Sequence, residues 1–175
     1  MFKIAINGRF TSQRKTGMQR FASEVIRALD EKLSGSNEFV AELLLPPDGS
    51  PIGGLSAISQ RHAGMLKGHA WEQIVLPREA EGRLLVNLCA SAPVFARRQF
   101  LVIHDAAIFD NPQNYSPTYR LAYRALWWLL GRRGVTIATV SAFSAERLAA
   151  RGIAVSGMII PNGCNHINAV EADDT

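Results

Sequence analysis

Short apolar runs that alternate with longer amphipathic segments are the feature that most constrains this fold. The runs lie at positions 3–7, 39–45, 83–88, 100–104, 135–140 and 157–161. They are mostly apolar, which is typical of strands buried on both faces of a parallel sheet. Alternating strands and helices predict an α/β domain of Rossmann type, in which helices cover both faces of an open, mostly parallel sheet.

Three helix starts are readable from the sequence. Thr16 and Gln19 form a capping-box pattern before a helix predicted over 17–33. The pair Ser116-Pro117 predicts a helix that runs to about Arg133, and Ser141 predicts one that runs to about Ala150. A short helix is predicted over 71–77. The Gly- and Ser-rich segment 48–68 indicates only a short strand or helix near 57–65.

Length and composition set the class of protein. The chain has 175 residues, 47% of them hydrophobic and 19% charged, which fits one globular domain. Its net charge of +4 is compatible with a phosphate ligand, a membrane surface or a nucleic acid, and does not choose among them. Cys89 and Cys164 are far apart, which favours two reduced thiols. No signal region or membrane-spanning stretch is readable, so we expect a cytoplasmic protein, soluble or peripherally bound.

In an open parallel sheet, ligands bind beyond the carboxyl ends of the strands. That rule nominates the loops 8–17, 89–98 and 104–114, together with Ser141. The first loop opens a helix at Gly17, where free N–H groups suit a phosphate, and Arg9, Arg14, Lys15 and Arg20 add positive charge. The loop lacks the G-x-G-x-x-G and Walker A patterns, which disfavours a tightly held dinucleotide or ATP. The alternative is a solvated basic loop.

His104 and Asp105 close a predicted strand at the same edge of the sheet. A histidine there can donate or accept a hydrogen bond near neutral pH, although it could also merely bond a neighbouring loop. Asp105 is expected to fix the turn or the imidazole rather than act as an acid. No partner stands at a metal-ligand spacing, so no metal site is predicted.

The helix after Pro117 carries a basic face at four-residue spacing, formed by Arg120, Arg124, Trp128 and Arg132. Such a face suits anionic lipid headgroups, and the alternative is a solvated surface with one partly packed Trp. The opposite, core-facing side is predicted to hold Tyr119, Ala122, Tyr123, Leu126, Leu129 and Leu130. Nucleic acid is disfavoured because no helix-turn-helix, RRM or KH signature is present.

Three segments in series carry a family resemblance. They are TGMQR after the first strand, FLVIHDAAIFDNPQNYSPTYRLAYR at 100–124, and VTIATVSAFSAERL followed by IIPNG within 135–163. Together they resemble the N-terminal domain of family-4 glycosyltransferases, the retaining class with two facing Rossmann-like domains (the GT-B architecture). Order and spacing match along nearly the whole chain.

The resemblance implies roles for individual residues. Gly17 corresponds to the glycine near the donor diphosphate, and His104 to the histidine near the donor sugar and the reaction centre. The rim of the cleft and the acceptor site would include Arg9, Arg20, Cys89, Asp105 and Ser141. Asn162 and Gly163 correspond to the point where the chain crosses into the second domain.

The implied reaction is transfer of a hexose-type sugar from a nucleotide sugar to a glycan or lipid-linked acceptor, with retention, in cell-surface polysaccharide biosynthesis. The nucleotide sugar is a substrate, and no cofactor or metal is implied. The resemblance makes 1–163 the acceptor-side domain and 164–175 the start of a linker or a disordered tail. The donor-binding C-terminal domain is absent from the 175 residues, so we expect the isolated chain to be inactive. The expected location is cytoplasmic, peripheral at the inner face of the plasma membrane.

Two alternative hypotheses about the function remain. One is a stand-alone Rossmann-like binding or scaffold domain that docks a membrane or a protein partner. The other is a different nucleotide-binding Rossmann enzyme, such as a reductase, against which the missing G-x-G-x-x-G argues.

Overall fold

A six-stranded, all-parallel open sheet forms the centre of the protein in a computed structural model that describes residues 1–163. The strand order is β3-β2-β1-β4-β5-β6. The strands are β1 (Phe2–Asn7), β2 (Phe39–Leu45), β3 (Ser59–His62), β4 (Leu84–Asn87), β5 (Gln99–Ile103) and β6 (Thr136–Thr139). The predicted linker or tail at 164–175, with Cys164, lies outside the described residues.

Helices connect the strands. They are α1 (Gly17–Leu33), α2 (Gly68–Ala70), α3 (Leu76–Glu79), α4 (Ala107–Asp110), α5 (Pro117–Arg132) and α6 (Ala142–Ala149). One π-helical turn, Trp71–Val75, joins α2 to α3, and 3₁₀ turns lie at Arg9–Ser12 and Pro112–Asn114. On one face of the sheet, Phe21 and Ile26 of α1 pack on Ile6. On the other, Trp71 packs with Ala5, so helices cover both faces as predicted.

Most of the predicted elements are confirmed, and their bounds agree closely. Helix α1 and strand β2 have the predicted bounds, and β4, β5, β6, α5 and α6 lie within a few residues of theirs. The predicted strand at 157–161 is wrong, because that segment pairs with β6 only through an isolated bridge between Thr139 and Ile159. Helix α4 was not predicted.

The Gly- and Ser-rich segment acquires its structure from distant side chains. Asp30 of α1 accepts hydrogen bonds from the backbone N–H groups of Ser56, Ala57 and Ile58 at 2.9, 2.9 and 2.7 Å. Both backbone groups of Ile52 bond the amide of Gln60, at 2.8 and 2.7 Å. These hydrogen bonds fix the segment that leads into β3 at the edge of the sheet.

Helix α5 turns a different side to the core than its sequence predicts. Trp127 and Leu130 are buried, and Tyr123 and Leu126 pack partly against them. Tyr119, Ala122 and Leu129 are exposed, so their predicted core positions are wrong. The physical reason is a partner for the buried indole, because Trp127 Nε1 donates to the carbonyl oxygen of Ala90 at 2.8 Å.

The sheet has its switch point between β1 and β4. From β1 the chain builds outward through β2 and β3, and it then returns to add β4, β5 and β6 on the other side. The first two connections therefore leave the sheet in the opposite direction from the later ones, and a crevice opens beyond the carboxyl ends of β1 and β4.

Candidate functional site

The loops nominated by the sequence meet at the carboxyl edge of the sheet. The Cys89 thiol, after β4, lies 3.5 Å from the carbonyl oxygen of Met18 in α1. Ser144 Oγ, in α6, donates to the carbonyl oxygen of His104 after β5 at 3.0 Å. The loops after β1, β4, β5 and β6 therefore form one rim beside the switch point.

His104 is buried at this rim in a defined tautomer. Its Nε2 lies 2.9 Å from the carbonyl oxygen of Leu88, which can only accept, so Nε2 carries the proton. Burial lowers the pKa of His104 and outweighs the opposing effects of the Leu88 bond and Asp105. The edge of the ring meets Phe21, with centroids 4.7 Å apart. The neutral imidazole keeps a lone pair on Nδ1, which bonds no side chain or backbone group within residues 1–163.

Gly17 begins α1 in open space. Gln19 Oε1 accepts from the backbone N–H of Thr16 at 3.1 Å, as the capping-box pattern predicts. A Cβ atom built on Gly17 would meet nothing within 4 Å. Gly17 lies one helical turn before Phe21, which contacts His104, so the start of α1 and the imidazole belong to the same rim.

A polar groove of about 880 Å³ runs along the start of α1. Lys15, Gly17 and Arg20 line one side, and Ser50 and Gly53 the other. His104 does not line this groove. The groove therefore offers cations and open helix N–H groups at the start of α1.

A buried polar cluster fills the switch point itself. Asn7, the last residue of β1, donates from Nδ2 to Glu72 Oε1 at 2.8 Å and to Asn87 Oδ1, at the end of β4, at 2.9 Å. Ser91 Oγ donates to Glu72 Oε2 at 2.5 Å, and His69 Nδ1 lies 3.3 Å from the same oxygen. Burial raises the pKa of Glu72. The contact with His69, the positive charge of Arg9 and the hydrogen bonds from Ser91 and Asn7 outweigh burial and lower that pKa. Glu72 is therefore a fixed anion.

Arg9 belongs to this cluster rather than to a solvated basic loop. Its side chain is 8% exposed, and Nε lies 3.1 Å from Glu72 Oε1. The ion pair turns the guanidinium inward, away from the groove lined by Lys15 and Arg20. The 3₁₀ turn Arg9–Ser12 is responsible, because it folds the start of the loop against the end of β1.

The remaining predicted rim residues have mainly structural contacts. Asp105 is exposed, and its Oδ1 accepts from the backbone N–H of Ala107 at 2.9 Å, which fixes the turn into α4. Ser141 caps α6 by accepting from the Ser144 N–H at 3.1 Å, as predicted. Burial raises the pKa of the Cys89 thiol to about 12. Asn162 and Gly163 are exposed at the end of the described residues.

The basic residues of α5 divide into two groups. The guanidinium of Arg132 lies over the exposed Trp128 ring, 4.2 Å from its centroid, and that of Arg124 lies 5.3 Å from the Phe109 centroid. Arg120 is half-buried, and its Nε is sealed from solvent. Three of the four predicted residues therefore form an exposed surface, and Arg120 is set apart from them.

The sequence analysis did not identify Glu72, His69 or Asn87 as members of the site, and it included Ser91 only as part of the nominated loop 89–98. Asn87 carried a readable signal, because it is a polar residue that ends an apolar strand, as Asn7 does. Glu72 and His69 carried none, because only the tertiary fold brings the helical turn at 68–75 over the end of β1.

Within residues 1–163, no group of three His, Cys, Asp or Glu side chains could hold a metal ion, and no helix is long and apolar enough to cross a membrane. No protein-family model matches the chain, and no curated protein matches it at a significant level.

Proposed function

We propose that this chain is the N-terminal, acceptor-side domain of a retaining glycosyltransferase that uses a nucleotide-sugar donor. The observation that carries the proposal is that two groups lie at the carboxyl edge beside the switch point and are connected through Phe21. One is the open start of α1 at Gly17, and the other is the neutral imidazole of His104. This edge is where open α/β sheets bind their ligands.

His104 has the chemistry that contact with a sugar requires. Because Nε2–H is held by Leu88, Nδ1 is the free atom, and it accepts a hydrogen bond from a sugar hydroxyl. Burial keeps the imidazole neutral at physiological pH, so this role does not depend on a titration near pH 7. Phe21 holds the ring from its edge and limits its rotation.

The start of α1 has the chemistry that a leaving diphosphate requires. The first N–H groups of a helix carry a partial positive charge, and Lys15 and Arg20 line the same groove. Preorganised donors of this kind stabilise the negative charge that develops on the leaving group. The nucleotide itself would be held by a second domain beyond Gly163, and closure of the two domains would exclude water.

The test uses the full reading frame that contains this chain, assayed with a panel of nucleotide sugars and glycan or lipid-linked acceptors. We expect transfer with retention, and a loss of kcat of at least about a hundredfold in His104→Ala. His62→Ala is the matched control, because His62 ends the edge strand β3, two strands away from β1. Gly17→Val should fold normally and raise the KM for the donor.

Three outcomes would count against the proposal. They are robust transfer by residues 1–175 alone, inversion at the anomeric carbon, or equal activity of His104→Ala and His62→Ala. A reading frame that ends at Thr175 would favour the alternative, a stand-alone binding or scaffold domain. A reading frame that continues into a second α/β domain favours the enzyme.

An anionic membrane surface is a second proposed partner. Leu121 and Phe95 are each 71% exposed, and Trp128 is 47% exposed. Arg132 and Arg133 lie over Trp128 and Phe95, respectively. No acidic residue occurs between Asp110 and Glu146. Basic residues interleaved with exposed apolar side chains suit peripheral binding at the cytoplasmic face.

Vesicle binding tests this surface separately. Binding to vesicles with 30% anionic lipid should fall with salt, and it should fall further when Arg124, Trp128 and Arg132 are replaced by Ala. The charge-matched control, Arg27→Ala with Arg78→Ala, should bind as the wild type does. Absence of binding at low salt, or an equal loss in the control, would remove the membrane from the proposal.

A further inference from the structure

The guanidinium of Arg9 is a buried group that its surroundings satisfy poorly. The residue is 6% exposed, and its Nε faces Glu72 without an aligned hydrogen bond. Within residues 1–163, no acceptor bonds either terminal nitrogen. A guanidinium has five N–H donors in a planar fork, and Nε–H is here a buried donor without a hydrogen bond, which destabilises a fold.

The Glu72 carboxylate is held by side chains other than Arg9. Asn7 and Ser91 already donate to its two oxygens and hold the carboxylate in place, and His69 Nδ1 lies 3.3 Å from Oε2. The charge of Arg9 balances that of Glu72 across the 3.1 Å between Arg9 Nε and Glu72 Oε1, and the two terminal nitrogens bond no acceptor within residues 1–163. Arg9 therefore pairs electrostatically with Glu72 while its remaining donors stay available to a ligand.

The aromatic side chains beside His69 also supply donors. Tyr115, just before α5, and Tyr119 and Tyr123 within α5 stack in a ladder, with centroids 5.5 and 4.4 Å apart. The His69 ring meets the Tyr123 ring edge-on at 6.2 Å. Burial and then Tyr123 raise the pKa of Tyr119, while the charge of Arg9 acts to lower it. His69 therefore connects the tyrosine ladder to the Glu72 carboxylate that Arg9 faces. The Tyr119 hydroxyl, with its raised pKa, stays a protonated donor.

We propose that Arg9, together with His69 and the Tyr119–Tyr123 step connected to it through Glu72, binds an oxyanion, a phosphate or a carboxylate, that belongs to the acceptor. A guanidinium fork matches the two oxygens of such a group, and a phenol donates a further bond. The flat tyrosine ladder provides a surface for the ring of the same ligand. The word "acceptor" rests on the proposed function, whereas anion binding at Arg9 does not.

The experiment follows the Arg9 Nε–H and the backbone amides of Arg9 and Ser91 by NMR. The 175-residue chain is titrated with methyl phosphate, and separately with sodium glucuronate, at constant ionic strength. Glucose is the neutral control. We expect a saturable shift with at least one anion and none with glucose, and the stronger of the two anions identifies the acceptor group.

Three variants locate the site. Tyr119→Phe removes one donor from a part-exposed side chain and should weaken binding about fivefold. Arg9→Met combined with Glu72→Gln removes both charges, which avoids a stranded buried carboxylate, and should abolish the shift at Ser91. Lys15→Ala with Arg20→Ala, in the separate groove, should leave the shift at Arg9 unchanged.

Several results would overturn the inference: no shift with either anion, an equal shift with glucose, or binding lost only in the Lys15 and Arg20 variant. The outcome is distinguishable from that of the proposed function. A saturable anion shift together with a full-length protein that transfers no sugar refutes the enzyme and leaves the anion site. Sugar transfer by the full-length protein without any anion shift supports the enzyme and refutes the anion site.

Discussion

Replacement of Asp30 by Ala should destabilise the protein by about 2–4 kcal/mol. The carboxylate accepts three backbone N–H bonds, from Ser56, Ala57 and Ile58, and a fourth from the Ser56 hydroxyl at 3.2 Å. A hydrogen bond to a charged group contributes about 1.5–3 kcal/mol, but the contributions do not add. In Asp30→Ala, the exposed Ser56 can form hydrogen bonds with water instead, whereas the buried N–H of Ile58 is left without an acceptor. This difference between the two groups gives the range of about 2–4 kcal/mol.

Urea denaturation followed by circular dichroism and by the fluorescence of the buried Trp71 and Trp127 measures this loss. Glu31→Ala is the matched control, because Glu31 is exposed next to Asp30 on the same helix. Asp30→Asn should lose nearly as much as Asp30→Ala, since its amide cannot accept all four bonds. A difference below 0.5 kcal/mol between Asp30→Ala and Glu31→Ala would refute the reasoning.

The Asp30 contribution should also depend on pH in a defined direction. Burial raises the pKa of Asp30, but the three backbone N–H groups and the Ser56 hydroxyl outweigh burial and lower it below 3.8. A carboxylate with a lowered pKa in the folded state stabilises the protein above its unfolded pKa, and loses that effect as the pH falls through the folded pKa. The gap between wild type and Asp30→Ala should therefore narrow below about pH 3.8. A constant gap down to pH 2 would contradict it.

Three further predictions concern the rim. Gly8→Ala should lower the free energy of unfolding by about 1–3 kcal/mol, because the new Cβ would collide with the carbonyl oxygen of Leu44. Gly17→Ala, in open space, should change it by less than about 0.5 kcal/mol. Equal urea midpoints for the two variants would refute this prediction. The Cys89 thiol, with its pKa raised from 9.0 to about 12, should react about a thousandfold more slowly with Ellman's reagent than an unshifted thiol, measured in Cys164→Ser; rapid native-state labelling would contradict this. Because the pKa of His104 is lowered from 6.5, the folded state resists protonation, so stability should decline as the pH falls below about 6.5, and His104→Gln should flatten that slope.

Local signals were enough to predict the α/β class and the bounds of β1, β2, β4, β5, β6, α1, α5 and α6 to within a few residues. These signals are the apolar runs, the turn residues and the capping residues Thr16, Ser116 and Ser141. Each depends only on residues a few positions away in the sequence, so its effect can be predicted before the fold is known. They also placed Gly17, Cys89 and His104 at one edge, because the carboxyl ends of parallel strands necessarily meet there. The segment 48–68 resisted prediction, since its conformation depends on Asp30 and on a side chain of β3.

The sequence by itself determined a parallel sheet with a polar rim, because hydrophobic periodicity and helix capping are properties of neighbouring residues. Only the tertiary structure decided what that rim contains. It buried Arg9 against Glu72, 63 positions further along the chain, and turned Trp127 rather than Leu129 into the core. The physical reason is that a buried charge or indole N–H must find a partner, and such partners come from elements that only the fold brings together.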